Sequence, residues 1–281
     1  MRAEMKADCY KESLSMATAV APELEFTGER IVPGKTLEAL FREHEERYIF
    51  AGQHVAGKDV LDIACGTGIG TDYLRKMGAA HCWGIDIDPV AVAYAQAAYG
   101  DCAFAQGEAT QIGLPNSSVD VVVSFETIEH IRDQEKFVVE CGRVLRPGGK
   151  FICSTPNTTI YRWQGKNPYH VHELTTPEFV NLLGKHFEEL AMFSQRARNY
   201  PGYLMRRFAA HAVSRLGFAS TVRRLRGQKQ PENVFRAAFG SETSIVNEGI
   251  TPYHASFLVQ PMYLVAIARK AGPQPGGLKR G

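Results

Sequence analysis

The sequence predicts an α/β fold built on a doubly wound, mostly parallel sheet of seven strands. Three observations carry this prediction. From residue 59 onward, short apolar runs alternate with helical segments of the length that connects parallel strands. The first apolar run ends in a glycine-rich turn within residues 60–70, and a final run at residues 262–270 follows the sixth strand late in the chain. Helices spaced in this way cover both faces of a sheet, so its strands are buried.

The first four predicted strands are separated by helices with clear start and stop signals. The first helix ends at Gly78. The second begins with Asp88 as its N-cap and Pro89 at its first position, and it stops before Gly100. The fourth run is rich in valine, which is typical of a buried strand. In chain order these four strands are DVLDIAC, HCWGIDI, CAFAQGE and VDVVVSFE.

The second half of the sheet follows the same alternation. Asp133 is placed to cap a helix that ends at Arg146, and Thr176 with Pro177 opens the next helix. The remaining predicted strands are KFICSTP, a sixth strand near LAMFS, and a closing MYLVAIARK that we expect to be inserted antiparallel.

This pattern divides the chain into regions. Residues 59–195 and 261–270 are predicted to form the α/β domain, preceded by an N-terminal lid and helices in residues 1–58. Residues 196–260 interrupt the alternation and are predicted to form an inserted helical cap. The Gly- and Pro-rich residues 271–281 are predicted to be a disordered tail.

The first half of the predicted cap is basic. Residues 196–231 contain nine Arg or Lys side chains and no acid, although the net charge of the whole chain is only +2. A solvated helix face, a contact with an anionic acceptor, and docking on a membrane or RNA are all open interpretations of this stretch. No RNA-binding module is recognisable in the sequence, so we expect no nucleic-acid partner.

The composition is that of a globular protein, with 44% apolar and 22% charged residues among 281. No run approaches the ~18 apolar residues of a transmembrane helix, and the N-terminus does not have the pattern of a signal peptide. The six cysteines form no CxxC pair, which indicates reduced core thiols. We therefore expect a cytoplasmic protein without stable membrane insertion. The sequence leaves its oligomeric state open.

The turn after the first strand is interpreted as a binding loop. Gly66, Gly68 and Gly70 are spaced G-x-G-x-G, which differs from the G-x-G-x-x-G of dinucleotide sites. Asp86 lies at the end of the second strand, where an acid can bind ribose hydroxyls of either kind of nucleotide. Asp62 precedes the loop, where it would repel a pyrophosphate but attract an ammonium group. These residues favour a cofactor with an ammonium group over a dinucleotide or a turn without a ligand.

The order and spacing of these motifs resemble the class I S-adenosylmethionine-dependent methyltransferases. The similarity covers roughly residues 59–195 and 262–270, and it implies a Rossmann-like methyltransferase fold with S-adenosyl-L-methionine as cofactor. The upstream FTGERIVPG and HEERYIFA are similar to a bacterial branch that acts in small-molecule biosynthesis, near the ubiquinone-type O-methyltransferases. The stretches that carry the resemblance are VLDIACGTGIGTDYL, GIDIDPVAVAYA, QGEATQIGLPNSSVDVVVSFETIEHI, RVLRPGGKFICSTPN and YLVAIARK.

The resemblance also implies which residues bind the cofactor. Asp62, through the loop, would orient the methionine amino group, and Asp86 would accept hydrogen bonds from both ribose hydroxyls. Arg47 would lie near the methionine carboxylate. Ala64 replaces the usual first glycine of the loop, a change that we expect to cost nothing, and Glu108 stands where the family usually has aspartate. The implied cofactor-binding residues are Arg47, Asp62, Ala64, Gly66, Gly68, Asp86, Ile87, Glu108, Ala109 and Phe125.

The acceptor is expected at the carboxyl ends of the fourth and fifth strands. His130, within SFETIEH, is the predicted general base, because histidine side chains titrate near neutral pH. Tyr169 and His170 are predicted to contact the acceptor, since they belong to the long aromatic segment of residues 157–175. The motif is similar to a Glu-x-x-Glu-His that holds a metal in some ubiquinone-type enzymes, but we predict no metal here.

The leading hypothesis is methyl transfer from S-adenosylmethionine to a small-molecule acceptor, at a hydroxyl group, in a biosynthetic pathway. The alternative is an enzyme of the same fold that uses S-adenosylmethionine itself as substrate, by an intramolecular alkylation that releases methylthioadenosine. A third hypothesis is a cofactor-binding sensor or partner subunit that does not catalyse a reaction. The sequence does not identify the acceptor.

Overall fold

The computed structural model describes Tyr10, Ser13 and residues 30–32, 35–162, 167–202, 204–205, 249–253, 256 and 259–272. These residues form one sheet whose strands, in chain order, are β1 (Asp59–Ile63), β2 (His81–Asp86), β3 (Ala103–Gln106), β4 (Val119–Ser124), β5 (Leu145–Pro156), β6 (Glu189–Asn199), β7 (Ile250–Pro252) and β8 (Val259–Arg269). Their order across the sheet is β3-β2-β1-β4-β5-β8-β6-β7. The strands from β3 to β5 are parallel, and β8 lies antiparallel between β5 and β6. The doubly wound, mostly parallel sheet and the antiparallel insertion of the last strand are thus confirmed.

Within the described residues the sheet contains eight strands instead of the predicted seven. The additional strand, β7, is three residues long and pairs antiparallel with β6 at the edge of the sheet. The sequence analysis did not find β7, because three residues are too short to show the alternation of apolar and polar residues that marks a strand.

Helices cover both faces of the sheet, as a doubly wound fold requires. On one face lie α1 (Glu38–Ala51), α2 (Ile69–Lys76) and α3 (Pro89–Ala98), and on the other lie α4 (Gln134–Val144) and α6 (Thr176–Gly184). The one-turn helix α5 (Thr158–Tyr161) follows β5. Successive residues of β1 alternate between the two apolar layers, Val60 in the first and Leu61 in the second. None of the described helices is both long and apolar enough to cross a membrane.

Three of the described helices, α3, α4 and α6, begin at the capping signals that the sequence contains. Asp88 and Asp133 each accept a hydrogen bond, at 2.9 Å, from a backbone amide in the first turn of the following helix. Thr175, one residue before the predicted start of α6, forms a capping box with Glu178. These acceptors satisfy amides that have no partner inside the helix.

Three predicted boundaries differ in the structure. β5 begins at Leu145 instead of Lys150, because the backbone before the Pro-Gly-Gly turn already pairs with β4, with an irregular register there. β6 continues through Asn199, and β7 occupies part of the predicted cap, so both ends of residues 196–260 contribute to the sheet. Residues 206–248 lie outside the described residues, and the helical cap with its basic face therefore stays a prediction, as do the N-terminal lid and the disordered tail.

Candidate active site

A cavity of about 540 Å³ lies where β1, β2 and β4 end at their carboxyl termini. This is where ligands bind in open α/β sheets, and the volume is in the range of small-molecule sites. Among its lining residues are most of the predicted site residues, namely Arg47, Ala64, Gly66, Asp86, Ile87, Glu108, Ala109, Phe125, His130, Tyr169 and His170. Of the other two, Asp62 is buried behind the loop that forms the cavity wall, and Gly68 is a buried residue of that loop. The structure thus brings the predicted site residues together at one place.

The loop after β1 uses left-handed residues to bring its backbone to the cavity. Ala64, Gly66 and Gly68 have φ angles of 58°, 54° and 78°. A Cβ atom at Gly68 would lie 2.7 Å from the Cβ of Ala95, so no larger residue fits there. At Gly66 the nearest atom to such a Cβ would be 4.0 Å away, so the backbone at Gly66 is open to the close approach of a ligand.

Ala64 is strained, and the expectation that it costs nothing was wrong. A residue with a Cβ pays about 1–2 kcal/mol for the left-handed conformation, because the Cβ approaches the following carbonyl oxygen. Its φ of 58° lies within that region. The sequence shows that alanine replaces a glycine here, but only the backbone shows that the glycine-type conformation is retained.

Replacing Ala64 with glycine should raise the free energy of unfolding by about 0.5–1 kcal/mol. Glycine removes the left-handed strain, and this gain is partly offset by about 0.4–1 kcal/mol from the more flexible unfolded chain. Chemical denaturation measures the change. Ala93 is a matched control, because it is exposed within α3, where glycine should instead cost about 1 kcal/mol. An Ala64→Gly variant that loses stability would contradict the assignment of strain.

Asp62 supports the binding loop from behind the cavity wall. Its carboxylate accepts hydrogen bonds from the Tyr48 hydroxyl at 3.1 Å and from the Thr71 hydroxyl at 2.7 Å. Burial raises the pKa of Asp62 to about 7, although the hydrogen bonds from Thr71 and Tyr48 act in the opposite direction. Through these hydrogen bonds Asp62 joins β1 to α1 and α2 beside the loop. The predicted effect of Asp62 on a methionine amino group stays a prediction.

The raised pKa of Asp62 predicts a pH-dependent stability. Between about pH 4 and pH 7 the folded protein holds a proton that the unfolded chain releases, so the contribution of Asp62 to stability falls as the pH rises through this window. Asp62→Asn stays neutral. Its stability relative to the wild type should therefore rise between pH 5 and pH 7, by at most about 1.4 kcal/mol per pH unit, and denaturation at several pH values measures it.

Asp88 supplies the control for this pH series. Burial acts to raise the pKa of Asp88, but hydrogen bonds from the Val90 amide and from Arg30 lower it overall. Asp88 is therefore ionised throughout the range from pH 5 to pH 7, and the stability difference between Asp88→Asn and the wild type should stay constant. A difference for Asp62→Asn that is equally constant would show that Asp62 does not titrate as proposed.

Asp86 presents a carboxylate at the end of β2. One of its oxygens accepts a hydrogen bond from the Gly66 amide at 2.8 Å, and the other accepts one from the Asp88 amide at 2.9 Å. Each carboxylate oxygen can accept a second hydrogen bond. Asp86 can therefore fix the loop and bind two ligand hydroxyl groups at the same time.

The adjacent part of the wall offers an apolar surface and a carboxylate. Ile87 is 68% exposed and lines the cavity, where its side chain can pack against a flat ring. Glu108 and Ala109 follow β3 in the same wall, and Glu108 accepts a hydrogen bond from the Thr110 hydroxyl. This combination suits a nucleobase that has an amino edge.

Arg47 is a buried cation on the opposite wall. Its guanidinium donates a hydrogen bond to the Gln195 side-chain oxygen at 2.8 Å and lies 5.0 Å from the centre of the Tyr263 ring. Its Nε atom has no hydrogen-bond partner among the described residues. Burial acts to lower the pKa of Arg47, but Glu126, Tyr263 and other neighbours raise it overall, so the side chain stays charged. An unpaired donor on a buried cation suits a ligand carboxylate.

His130 has a defined tautomer at the end of β4. Its Nδ1 atom lies 3.1 Å from the backbone carbonyl oxygen of Tyr169. A carbonyl oxygen only accepts hydrogen bonds, so Nδ1 carries the proton and the lone pair of the neutral ring is on Nε2. Nε2 lies 3.9 Å from a carboxylate oxygen of Glu129. Burial raises the pKa of Glu129 well above its ordinary value, and the nearby Glu126 raises it further.

Aromatic side chains form the wall next to His130. The His170 ring meets the His130 ring edge to face, with centroids 4.9 Å apart, and its Nδ1 lies 2.7 Å from a carboxylate oxygen of Glu173. The hydroxyl groups of Tyr161 and Tyr263 are hydrogen-bonded at 3.0 Å. Tyr161, Tyr263 and the exposed Tyr169 all line the cavity. This wall can hold a planar or apolar acceptor.

The sequence analysis did not find two residues around Arg47. Tyr263 lies on β8 and Gln195 on β6, and both appear in the sequence as members of ordinary strands. Gln195 is fully buried. An uncharged polar residue inside a strand is the signal that could have indicated it, because buried polar groups need partners. No local pattern distinguishes Tyr263.

Glu129, His130 and His170 form a group that could hold a metal ion. One ligand atom from each residue lies within 4.8 Å of the others, and two imidazoles with a carboxylate suit several transition metals. One oxygen of Glu129 is buried and has no hydrogen-bond partner among the described residues. The donor set fits a divalent cation, and the absence of a metal therefore stays a prediction.

The sheet order, with a glycine loop after β1 and an acid at the end of β2, is that of the Rossmann-like methyltransferase fold. Residues 61–153 match a family model described as a methyltransferase domain. The chain is 43% identical over 169 residues to a probable S-adenosylmethionine-dependent methyltransferase of Mycolicibacterium smegmatis, covering 59% of this chain and 65% of that protein. Residues 61–153 therefore match a methyltransferase domain, and the names of the relatives indicate S-adenosyl-L-methionine as its cofactor.

Two further relatives extend the comparison. A ubiquinone biosynthesis O-methyltransferase of Rhizobium rhizogenes is 28% identical over 143 residues, which are 44% of this chain and 56% of that protein. A solved S-adenosylmethionine-dependent methyltransferase of Thermotoga maritima, described as a possible histamine N-methyltransferase, has the same fold, with a TM-score of 0.54 and 17% identity over 83% of this chain and 93% of that one. The chain spans less than two thirds of the length of the two curated relatives.

Proposed function

We propose that this protein transfers the methyl group of S-adenosylmethionine to a hydroxyl oxygen of a small-molecule acceptor. The observation that carries the proposal is the tautomer of His130, which places a lone pair on Nε2 in a residue that lines the cavity. A hydroxyl group must lose its proton when it is methylated, and a positioned base is worth about 10²–10⁴-fold in rate.

The residues of the cavity fit the cofactor in three respects. The loop backbone is open at Gly66, Asp86 has acceptors for ribose hydroxyls, and Ile87 offers an apolar surface for the adenine ring. Glu108 and Ala109 would contact the adenine edge, Phe125 would line the methionine portion, and Arg47 would bind its carboxylate. S-adenosylmethionine supplies an activated methyl group on a sulfonium ion.

The task that remains for the chain is to position the acceptor and accept its proton. Tyr161, Tyr169 and His170 would hold the acceptor beside His130, which would take the hydroxyl proton on Nε2. The carboxyl group of Glu129 lies 3.9 Å from that atom, and burial favours its neutral form. Holding the acceptor oxygen in line with the methyl group also lowers the activation barrier, because orientation alone can supply several kcal/mol.

The choice of oxygen as the nucleophile has independent support. The name of the Rhizobium rhizogenes relative is that of an O-methyltransferase, and a histidine base is needed for a hydroxyl more than for a neutral amine. The proposal also includes a small-molecule acceptor, a cytoplasmic location and the lack of a nucleic-acid partner.

Incubation with S-adenosylmethionine, with and without a panel of hydroxylated small molecules, tests the proposal. We expect S-adenosylhomocysteine only when an acceptor is present, together with a product heavier by one methylene unit. Release of methylthioadenosine without any acceptor would reject methyl transfer in favour of the alternative in which S-adenosylmethionine is itself the substrate. Tight cofactor binding without turnover on any acceptor class would favour a sensor.

A further inference from the structure

The buried side chain of Gln195 holds Arg47 from the far side of the cavity wall. Its oxygen accepts the 2.8 Å hydrogen bond from Arg47. Its nitrogen donates to the backbone carbonyl of Glu43 at 2.9 Å and to the Glu46 carboxylate at 2.7 Å. All three bonds join β6 to α1, across about 150 residues of sequence, and Gln195 is fully buried. The amide therefore has a fixed orientation, with its oxygen facing the guanidinium.

Three acids near Arg47 are each bound to a different donor. Glu43 pairs with Arg196 at 2.9 Å and accepts a hydrogen bond from the Tyr263 hydroxyl at 2.6 Å. Glu46 accepts the bond from Gln195. Glu126 accepts a hydrogen bond from the Ser154 hydroxyl at 2.6 Å and forms an ion pair with Arg47 at 3.8 Å, a distance too long for a direct hydrogen bond. Among the described residues, the hydrogen-bond acceptor of Arg47 is thus a neutral amide oxygen.

A neutral acceptor has a consequence for the charge of the site. A carboxylate in hydrogen-bond contact would orient Arg47 but also neutralise it, and the cation would then attract an anionic ligand less. An amide oxygen fixes the same geometry and adds no negative charge to that of Glu126, the carboxylate that already forms an ion pair with Arg47 at 3.8 Å. The Nε atom of Arg47, which has no hydrogen-bond partner among the described residues, can then donate to a ligand.

The backbone of Arg196 supports this arrangement. Arg196 has a φ of 52°, which is uncommon for a residue with a side chain. In this conformation the side chains of Gln195 and Arg196, although adjacent in a strand, both reach α1. Strained residues of this kind persist where the surrounding contacts determine them, and they cluster at functional sites.

From these contacts we propose that Gln195 is a positioning residue, which holds Arg47 in place for the carboxylate of the cofactor without adding a further negative charge beside it. The proposal rests on the cofactor role proposed above for Arg47. It assigns a function to β6, a strand on the side of the sheet remote from the nucleotide half, and to a residue that does not itself line the cavity.

Binding of two ligands distinguishes a positioning role of Gln195 from a role in the general stability of the fold. S-adenosylhomocysteine has the amino-acid carboxylate, whereas methylthioadenosine has the same adenosine and thioether but no carboxylate. We expect Arg47→Met to weaken S-adenosylhomocysteine binding roughly tenfold or more, and Gln195→Met to weaken it about three- to tenfold, in line with lost hydrogen bonds to a charged group. Calorimetric titration of the full chain should show methylthioadenosine affinity within about twofold of the wild type for both variants.

The double variant completes the test. If Gln195 acts through Arg47, then Gln195→Met should have no further effect on S-adenosylhomocysteine binding once Arg47→Met is present. Gln53→Met, at an exposed position, is the control and should change neither affinity. Equal weakening of both ligands by Gln195→Met would show a purely structural role and overturn the inference, as would unchanged S-adenosylhomocysteine binding.

The same titrations distinguish the inference from the proposed function. If Arg47→Met leaves S-adenosylhomocysteine affinity unchanged, the carboxylate role of Arg47 fails and the inference fails with it, while methyl transfer is judged separately by the acceptor assay. If the wild-type chain binds neither ligand, the proposed function itself fails.

Discussion

Replacing His130 with alanine should lower kcat for an identified acceptor by about 10²–10⁴-fold, the range that a general base contributes. The variant removes the only ring nitrogen that the structure offers as a base at the end of β4, within the described residues, with its tautomer fixed by the Tyr169 carbonyl. The affinity for S-adenosylhomocysteine should stay within about twofold of the wild type, because His130 lies on the acceptor side of the cavity. Steady-state kinetics and calorimetry measure the two quantities.

The pH profile shows whether His130 acts as a base. The wild type should lose kcat/KM on the acid side as the base becomes protonated, and this limb should disappear in His130→Ala. His172 supplies the matched control, because it belongs to the same segment, is exposed, and does not line the cavity. A His172→Ala variant should keep the wild-type rate and profile. A His130→Ala variant with full activity would remove the base from the proposal.

The metal interpretation of the same residues makes a different prediction. If Glu129, His130 and His170 act by holding a cation, a chelator should abolish wild-type activity and added divalent metal should restore it. Our proposal expects activity to persist after chelation. Loss and recovery with a metal would reject the prediction of a metal-free site and assign His130 to ligation.

Replacing Asp86 with asparagine should weaken S-adenosylhomocysteine binding by about 100-fold or more. Two hydrogen bonds from ribose hydroxyls to a carboxylate are worth about 1.5–3 kcal/mol each, and 1.4 kcal/mol corresponds to a factor of ten. The amide nitrogen of asparagine would also face a backbone amide donor, because the two Asp86 oxygens accept from the Gly66 and Asp88 amides. Loop geometry and ribose binding are thus lost together.

Calorimetry of the Asp86→Asn variant should show this loss for both S-adenosylhomocysteine and methylthioadenosine, since both have the ribose. This pattern differs from the one expected for Arg47. Asp133→Asn is the control, because Asp133 caps α4 away from the cavity, and asparagine caps a helix as well as aspartate does. Unchanged affinity in Asp86→Asn would show that the acid at the end of β2 does not contact the ligand.

Much of the fold could be predicted because its signals are local. The Asp88 and Asp133 caps, the valine-rich β4 and the glycines after β1 each lie within a few residues of the feature they determine. The position of the acid at the end of β2 relative to the loop also follows from chain order alone, because parallel strands end at the same edge. β7 and the start of β5 were missed, since a three-residue strand and a Pro-Gly-Gly turn contain no such periodicity.

The sequence could predict which residues belong to the candidate site, but not their hydrogen-bond partners or protonation. The resemblance implied that Asp62 acts on the methionine amino group through the loop, and only the structure shows that this buried carboxylate binds Tyr48 and Thr71. It placed His130 near the acceptor, but the tautomer depends on the carbonyl of Tyr169, 39 residues away. Whether a side chain faces a cavity or a neighbour depends on packing between distant elements.

The sequence by itself determined the fold class and the loop after β1, because periodicity, capping and glycine spacing act over a few neighbouring residues, and the resemblance of its motifs to a known family implied the cofactor. The tertiary structure decided which groups are charged, strained or paired. The left-handed φ of Ala64 is one case. The hydrogen bond between Arg47 and Gln195 is another, since it joins residues 148 positions apart. Such contacts form only when the strands and helices pack, and burial then changes the energy of every charge and hydrogen bond among them.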